Sequence, residues 1–278
     1  MIVSASRRCD LPRFQFDWFM KRMDEGFVES VNPYNRNQIK RFPLRPIQAG
    51  MDPQDGVEAI VFWTRDPRQI LANADELERR GFHYYVMVTV TGYPLELEPS
   101  MLHTGKALAA MKELAKKIGP EQVIWRYDPI ILSSISDEDF HRKNFSCLAQ
   151  SLAGSVRRVI ISIYNDYPKT KLRLEGLDRT GVLKMFDKGA DLAGLLTELA
   201  KSAQAAGMEI QSCAAKDDFS LYGVQPGACI DGAFINKLWG IEIKGKDKNQ
   251  RPRCLCSKSV DIGLYGLCDA HCVYCYAW

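Results

Sequence analysis

Cys268, Cys272 and Cys275 fall in the spacing C-x3-C-x2-C within the final stretch "CDAHCVYCYAW", and an aromatic residue, Tyr274, directly precedes the third thiol. Thiolates this close together in sequence bind soft metals. A loop of this spacing can wrap three ligands around one face of an iron–sulfur cube; full protein coordination takes four, so one iron stays open to a small molecule. C-x2-C pairs also supply half of many tetrahedral zinc sites, and spacing by itself leaves both metals open.

The chain holds nine cysteines in 278 residues. Its start, "MIVSASRRCDLPRF", lacks the charged segment and apolar run of a secretory signal. No stretch approaches the ~18 apolar residues of a membrane span. The expectation is a cytoplasmic protein with no membrane partner, where clustered cysteines are read as metal ligands before disulfides. Cys254 and Cys256 form a C-x-C pair, Cys213 ends an apolar run, and Cys229 sits in "GACIDG". These four can hold a second metal centre, either an auxiliary iron–sulfur cluster or zinc. The rival arrangement gives Cys254 or Cys256 to the first cluster as its fourth ligand, which closes the open iron and favours electron transfer or a structural role. Cys9 and Cys147 are then ordinary thiols. His271, between two cluster cysteines, is expected to shape the loop or donate to sulfur.

Elements must position these groups. Six apolar runs rich in β-branched and aromatic residues occupy 2–6, 59–64, 84–90, 123–127, 159–164 and 208–213. Nearly continuous apolarity of this kind marks strands buried on both faces of a parallel sheet. Helical stripes lie between them: Phe16, Phe19, Met20 and Met23; Ile70, Ala74 and Leu77; Leu108, Met111, Leu114, Ala115 and Ile118; and Leu192, Leu195, Leu196, Leu199 and Ala203. "SDED" at 136–139 opens a further helix carrying Phe140, Leu148 and Leu152. The alternation predicts an α/β protein, a complete or partial (β/α) TIM-like barrel over 1–214, with a cysteine-rich extension over 215–278 packing on the barrel mouth as part of one compact unit.

The barrel is preferred to an open sheet because nearly every run ends in a polar or aromatic cluster, as barrel strands do at the catalytic rim. Arg7, Arg8 and Asp10 follow the first run, and forked guanidiniums there can clamp a phosphate or carboxylate. Trp63, Arg65 and Asp66 close the second; the indole can stack on a base or an adenine ring. Arg126, Tyr127 and Asp128 put charge inside a strongly apolar strand, which calls for a cavity or a partner. Lys169 follows the fifth run and adds a cation. Arg7, Arg8, Asp10, Arg65, Asp66, Tyr127 and Lys169 are therefore substrate-binding candidates, and the arginines point to a small-molecule or nucleic-acid-like anionic substrate. A net charge of +3 neither demands nor excludes nucleic acid. No Walker loop, H-E-x-x-H or dinucleotide glycine turn occurs, so ordinary hydrolases and dehydrogenases have no motif to stand on.

The run "LYGLCDAHCVYCYA" resembles the cluster loop of radical S-adenosylmethionine enzymes, especially the spore photoproduct lyase or DNA repair photolyase-like branch. "SRRCDLP", "FWTRDP", "WRYDPI" and "SVDIGLYGLCDAHCVYCYA" together resemble the bacterial domain of unknown function family 1848 across the whole chain. The first resemblance implies a 4Fe–4S cluster whose open iron binds S-adenosylmethionine, and an electron donor such as flavodoxin or ferredoxin. It also implies cofactor-binding roles for Arg126, Asp128, Trp63 and Glu98, the last from "VTGYPLELEPSML". The sequence departs from that pattern twice. Its cluster loop comes last instead of after the first strand, and it has no Gly-Gly-Glu motif. A different class of function stays open beside this one: a non-catalytic barrel, stabilised by zinc or a fully ligated cluster, that binds nucleic acid or carries electrons.

Overall fold

The computed structural model describes residues 1–32, 35–186 and 192–277. Its strands are β1 (Ile2–Ala5), β2 (Phe27–Asn32), β3 (Asn35–Pro43), β4 (Ala59–Thr64), β5 (Tyr84–Thr89), β6 (Val123–Ile130), β7 (Arg158–Ile163), β8 (Glu209–Cys213), β9 (Gln225–Gly227) and β10 (Ser259–Asp261). Its helices are α1 (Leu11–Phe14), α2 (Phe16–Glu25), α3 (Arg68–Ala72), α4 (Ala74–Arg79), α5 (Thr104–Ile118), α6 (Glu138–Leu152), α7 (Pro168–Arg179), α8 (Leu192–Ala205) and α9 (Gly232–Trp239). All six apolar runs are strands. They lie side by side in an eight-stranded sheet of order β10-β1-β4-β5-β6-β7-β8-β9, in which each neighbouring pair is parallel. The chain is thus a mixed α/β protein built on a parallel central sheet.

Local chemistry sets the helix ends. The Asp137 side chain accepts from Phe140 N and opens α6, while Gly119 at φ 97° stops α5. The stripe from Ile70 to Leu77 is broken at Asn73 into α3 and α4. Not anticipated were the β2–β3 hairpin, the two short strands β9 and β10 that form the sheet edges, and helices α1, α7 and α9.

Alternation within the strands separates two cores. One face, with Val3, Phe62, Val86, Trp125, Tyr127 and Ile161, packs under helices α2, α5, α6 and α8. The other, with Ile2, Val61, Tyr85, Met87, Ile124 and Ile160, packs on Cys229, Cys254, Cys256 and Phe234. Residues from β1 through β7 therefore converge on two short segments of the extension, around 229–235 and 254–256.

Tyr127, expected to contact substrate, belongs to the helix-facing core. It is fully buried, its hydroxyl lies 2.8 Å from His141 Nδ1, and it accepts from Asn144. His141 Nε2 faces the Ile131 carbonyl at 2.9 Å, and burial pushes the imidazole from its ordinary 6.5 down to about 4. The unfolded chain therefore takes up this proton at a higher pH than the folded one. Stability should be full above pH 6.5 and should fall by about 3 kcal/mol as the pH drops toward 4. Urea unfolding across that interval checks this: His141→Gln should show a shallower acid slope than the parent, and equal slopes would contradict it.

Candidate functional site

The extension returns over the C-terminal ends of the sheet strands. After β10, Ile262 N donates to Ser4 O, and the chain passes Gly263, whose φ is 89°. A Cβ there would stand 3.0 Å from Cys9 Sγ and 3.2 Å from Ser6 Oγ, so the tail crosses the strand ends at a point that only glycine fits. Val273 N then donates to Leu97 O in the loop after β5, and Tyr276 Oη donates to Arg7 O after β1 at 3.4 Å.

Two buried arginine contacts hold the thiol loop. Arg65, at the end of β4, pairs with Glu98 at 2.8 Å and donates to the Tyr274 hydroxyl; Tyr274 donates in turn to Glu98, as does Thr91 at 2.5 Å. Burial alone would lower the Arg65 pKa, but Glu98, Tyr274 and the sulfurs of Cys272 and Cys275 more than offset it, so the net shift is well upward. Arg173, on α7, donates to the carbonyls of Val273 at 3.1 Å and Cys275 at 2.9 Å. Nothing near Arg173 in the sequence signals this role, because its partners lie about a hundred residues away.

Cys268, Cys272 and Cys275 sit together within this frame and act on one another electrostatically. Burial pushes the Cys272 thiol up to about 12, and Ala277 N donates to Cys275 Sγ at 3.4 Å. Cys9, beside Cys268, is also pushed up to about 12 by burial and accepts from Gln15 Nε2 at 3.0 Å.

Cys213, Cys229, Cys254 and Cys256 form a separate group. Cys229 Sγ is 3.1 Å from Cys213 Sγ, and Cys256 is hydrogen-bonded to both Cys229 and Cys254. As the shared acceptor, Cys256 is pushed strongly down, while Cys229 and Cys254 are pushed up. Cys254 and Cys256 thus stand with Cys213 and Cys229, and the tail triad packs in a separate cluster. Among the described residues no two cysteines are joined in a disulfide, and no three His, Cys, Asp or Glu side chains are arranged as a ready-made metal site. Within the four-thiol group the sulfurs of Cys213 and Cys229 are turned toward one another.

The face of the sheet opposite the helix-packed core carries a polar lining near its strand ends. Arg126 pairs with Asp128, which accepts from Ser162, and its guanidinium lies 4.6 Å over the Trp63 ring. Trp63 Nε1 donates to Ser4 Oγ at 3.1 Å. Arg126 interacts electrostatically with Cys229, Cys213 and Tyr276, and Arg7 with Cys256 and Tyr276. The buried Nε of Arg126 has no hydrogen-bond partner among the described groups.

Other candidates have scaffold roles. Asp10 accepts from Thr64 Oγ1 at 2.7 Å, Arg65 N at 2.8 Å and Arg13 N at 3.2 Å, which ties the loops after β1 and β4 together. Asp66 faces away and makes a two-pronged pair with Arg68. Arg8 reaches Gly263 O at 3.5 Å and lies over Tyr265, so it is committed to the tail. Glu98 is taken up by three donors. Lys169 is exposed on the first turn of α7.

A parallel α/β sheet whose C-terminal strand ends are covered by a thiol-rich tail defines the class. Residues 2–277 match the family described as Domain of unknown function (DUF1848), and the chain belongs to that family. No curated protein matches the chain significantly.

Proposed function

We propose that the sheet closes as a (β/α) barrel and that Cys268, Cys272 and Cys275 hold a 4Fe–4S cluster at its mouth. The protein is then a cytoplasmic enzyme of the radical S-adenosylmethionine type that acts on an anionic substrate and takes electrons from a small carrier such as ferredoxin or flavodoxin. The observation that carries this reading is the seat of the thiol loop: three cysteines gripped over the strand ends by Arg65, Glu98, Tyr274 and Arg173.

The donor set suits the group. It is all sulfur, it offers three thiols, and a backbone N–H already points at Cys275 Sγ. When bound, the cluster supplies the electron that cleaves the sulfonium of S-adenosylmethionine to a 5′-deoxyadenosyl radical. The chain's own residues do the rest. The arginine contacts fix the loop, the packed tail keeps water from the mouth, and Arg126 and Arg7 offer charge to an anion between the thiol groups.

Anaerobic reconstitution with iron and sulfide, then dithionite and S-adenosylmethionine, tests the proposal. 5′-Deoxyadenosine should form in the parent and be absent from Cys272→Ala. Cys9, beside Cys268, favours one competing arrangement, a fully ligated cluster that carries electrons. That arrangement would give a coloured protein whose spectrum ignores S-adenosylmethionine until Cys9 is replaced by alanine. Colourless protein that binds zinc at the tail would end both.

A further inference from the structure

The four thiols away from the tail call for their own account. Cys213 ends β8, Cys229 lies two residues beyond β9, and Cys254 and Cys256 precede β10. Because β9 and β10 are the two edges of the sheet, these cysteines come from opposite ends of its strand order. The backbone meets there as well: Ser257 N donates to Ile230 O at 2.8 Å, and Gly232 N donates to Ser257 Oγ at 3.2 Å. We infer that Cys213, Cys229, Cys254 and Cys256 form a mononuclear tetrathiolate site for zinc that fastens one edge of the sheet to the other.

Spacing decides for one metal ion over a second cluster. A cubane holds its cysteine sulfurs on separate irons, farther apart than sulfurs that share one metal. In this group Cys213 Sγ and Cys229 Sγ are 3.1 Å apart, and Cys229, Cys254 and Cys256 pack in one buried cluster with Cys213 against it. Zinc–sulfur bonds of about 2.3 Å in a tetrahedron place sulfurs about 3.8 Å apart, so the Cys213–Cys229 pair is at the scale of one shared metal ion and needs to open by under ~1 Å, with the other thiols turning in from the same cluster. The surroundings suit thiolates. Ile230 N donates to Cys256 Sγ at 3.4 Å, and the charges of Arg7, which interacts with Cys256, and Arg126, which interacts with Cys229 and Cys213, offset the double negative charge of a zinc tetrathiolate. Cys229, Cys254 and Cys256 are each no more than 5% exposed, as befits a closed structural site without a water ligand. Loading is redox-neutral: the thiols give up protons and the metal takes their lone pairs.

The test separates this site from the tail. The full chain carrying Cys268→Ala, Cys272→Ala and Cys275→Ala should purify with about one zinc per molecule and no acid-labile sulfide. Cobalt exchange should give the intense thiolate charge-transfer bands and the visible bands of a tetrahedral site. Adding Cys229→Ser to that triple variant should remove the metal; if the quadruple variant does not fold, the cobalt spectrum of the triple variant still decides. Iron and sulfide in the triple variant, a mapped Cys213–Cys229 disulfide, or a folded protein with no metal would each overturn the inference. None of these results bears on whether the tail holds a cluster.

Discussion

Arg65→Met should release the thiol loop. The substitution keeps the length of the side chain but leaves the Glu98 carboxylate, 5% exposed, facing only the hydroxyls of Thr91 and Tyr274. Removing one partner of a buried pair costs about 3–5 kcal/mol, because the remaining charge is stranded. How that cost appears depends on what can give way. If tail and sheet unfold together, the thermal midpoint should drop by on the order of 10 °C. If the tail lifts first, its loss caps the global effect, and protease should cut near the exposed Leu264 and Leu267 while the sheet survives. Either way, iron retained after reconstitution should fall several-fold. Arg65→Met combined with Glu98→Gln should recover part of the loss, since the amide carries no charge to strand. An Arg65→Met protein with parental midpoint, protease pattern and iron content would show that the network does not hold the tail.

That network also shows what the sequence disclosed and what it hid. The central strands were legible because double-sided burial writes long apolar runs. The edges were not: β9 and β10 are three residues each, and β9 contains Pro226, so neither carries a run to read. In the β2–β3 hairpin, "NRNQIKRFP" is polar along most of its length and reads as loop. The sequence offered a three-and-four division of the seven metal-ligand candidates beside a rival that gave Cys254 or Cys256 to the tail; the choice between them is a matter of topology, since Cys229 and Cys256 come together only once the sheet edges approach. Tyr127 was misplaced although the strand's own alternation holds the answer. Arg126 and Asp128 share the inner face, so the residue between them must point to the helices. Asp10 and Asp66 were read as ligand contacts because they are acidic and follow strands. Yet Asp10 precedes Leu11-Pro12 at a helix start, which is a capping signal. Arg173 had no local signal, because a side chain that donates to distant carbonyls leaves no mark in its neighbourhood.

Arg126→Lys should lower 5′-deoxyadenosine formation by about 10- to 100-fold while leaving iron content unchanged. Arg126 interacts electrostatically with Cys213, Cys229 and Tyr276, its Nε is buried and unpartnered, and its pairing with Asp128 fixes the plane of the fork. Lysine keeps the positive charge and satisfies Asp128 but cannot present the second, parallel donor. A hydrogen bond to a charged group contributes about 1.5–3 kcal/mol, and each 1.36 kcal/mol is tenfold, which sets the expected range. Arg126→Met should go further, since it removes the charge and strands Asp128, so its unfolding midpoint should fall along with its product. The two variants therefore separate binding from folding: lysine should lose turnover at nearly parental stability, and methionine should lose both. If the lysine variant makes 5′-deoxyadenosine at the parental rate, the guanidinium serves only to neutralise the neighbouring sulfurs and Asp128, and the anion-binding role must be sought at Arg7.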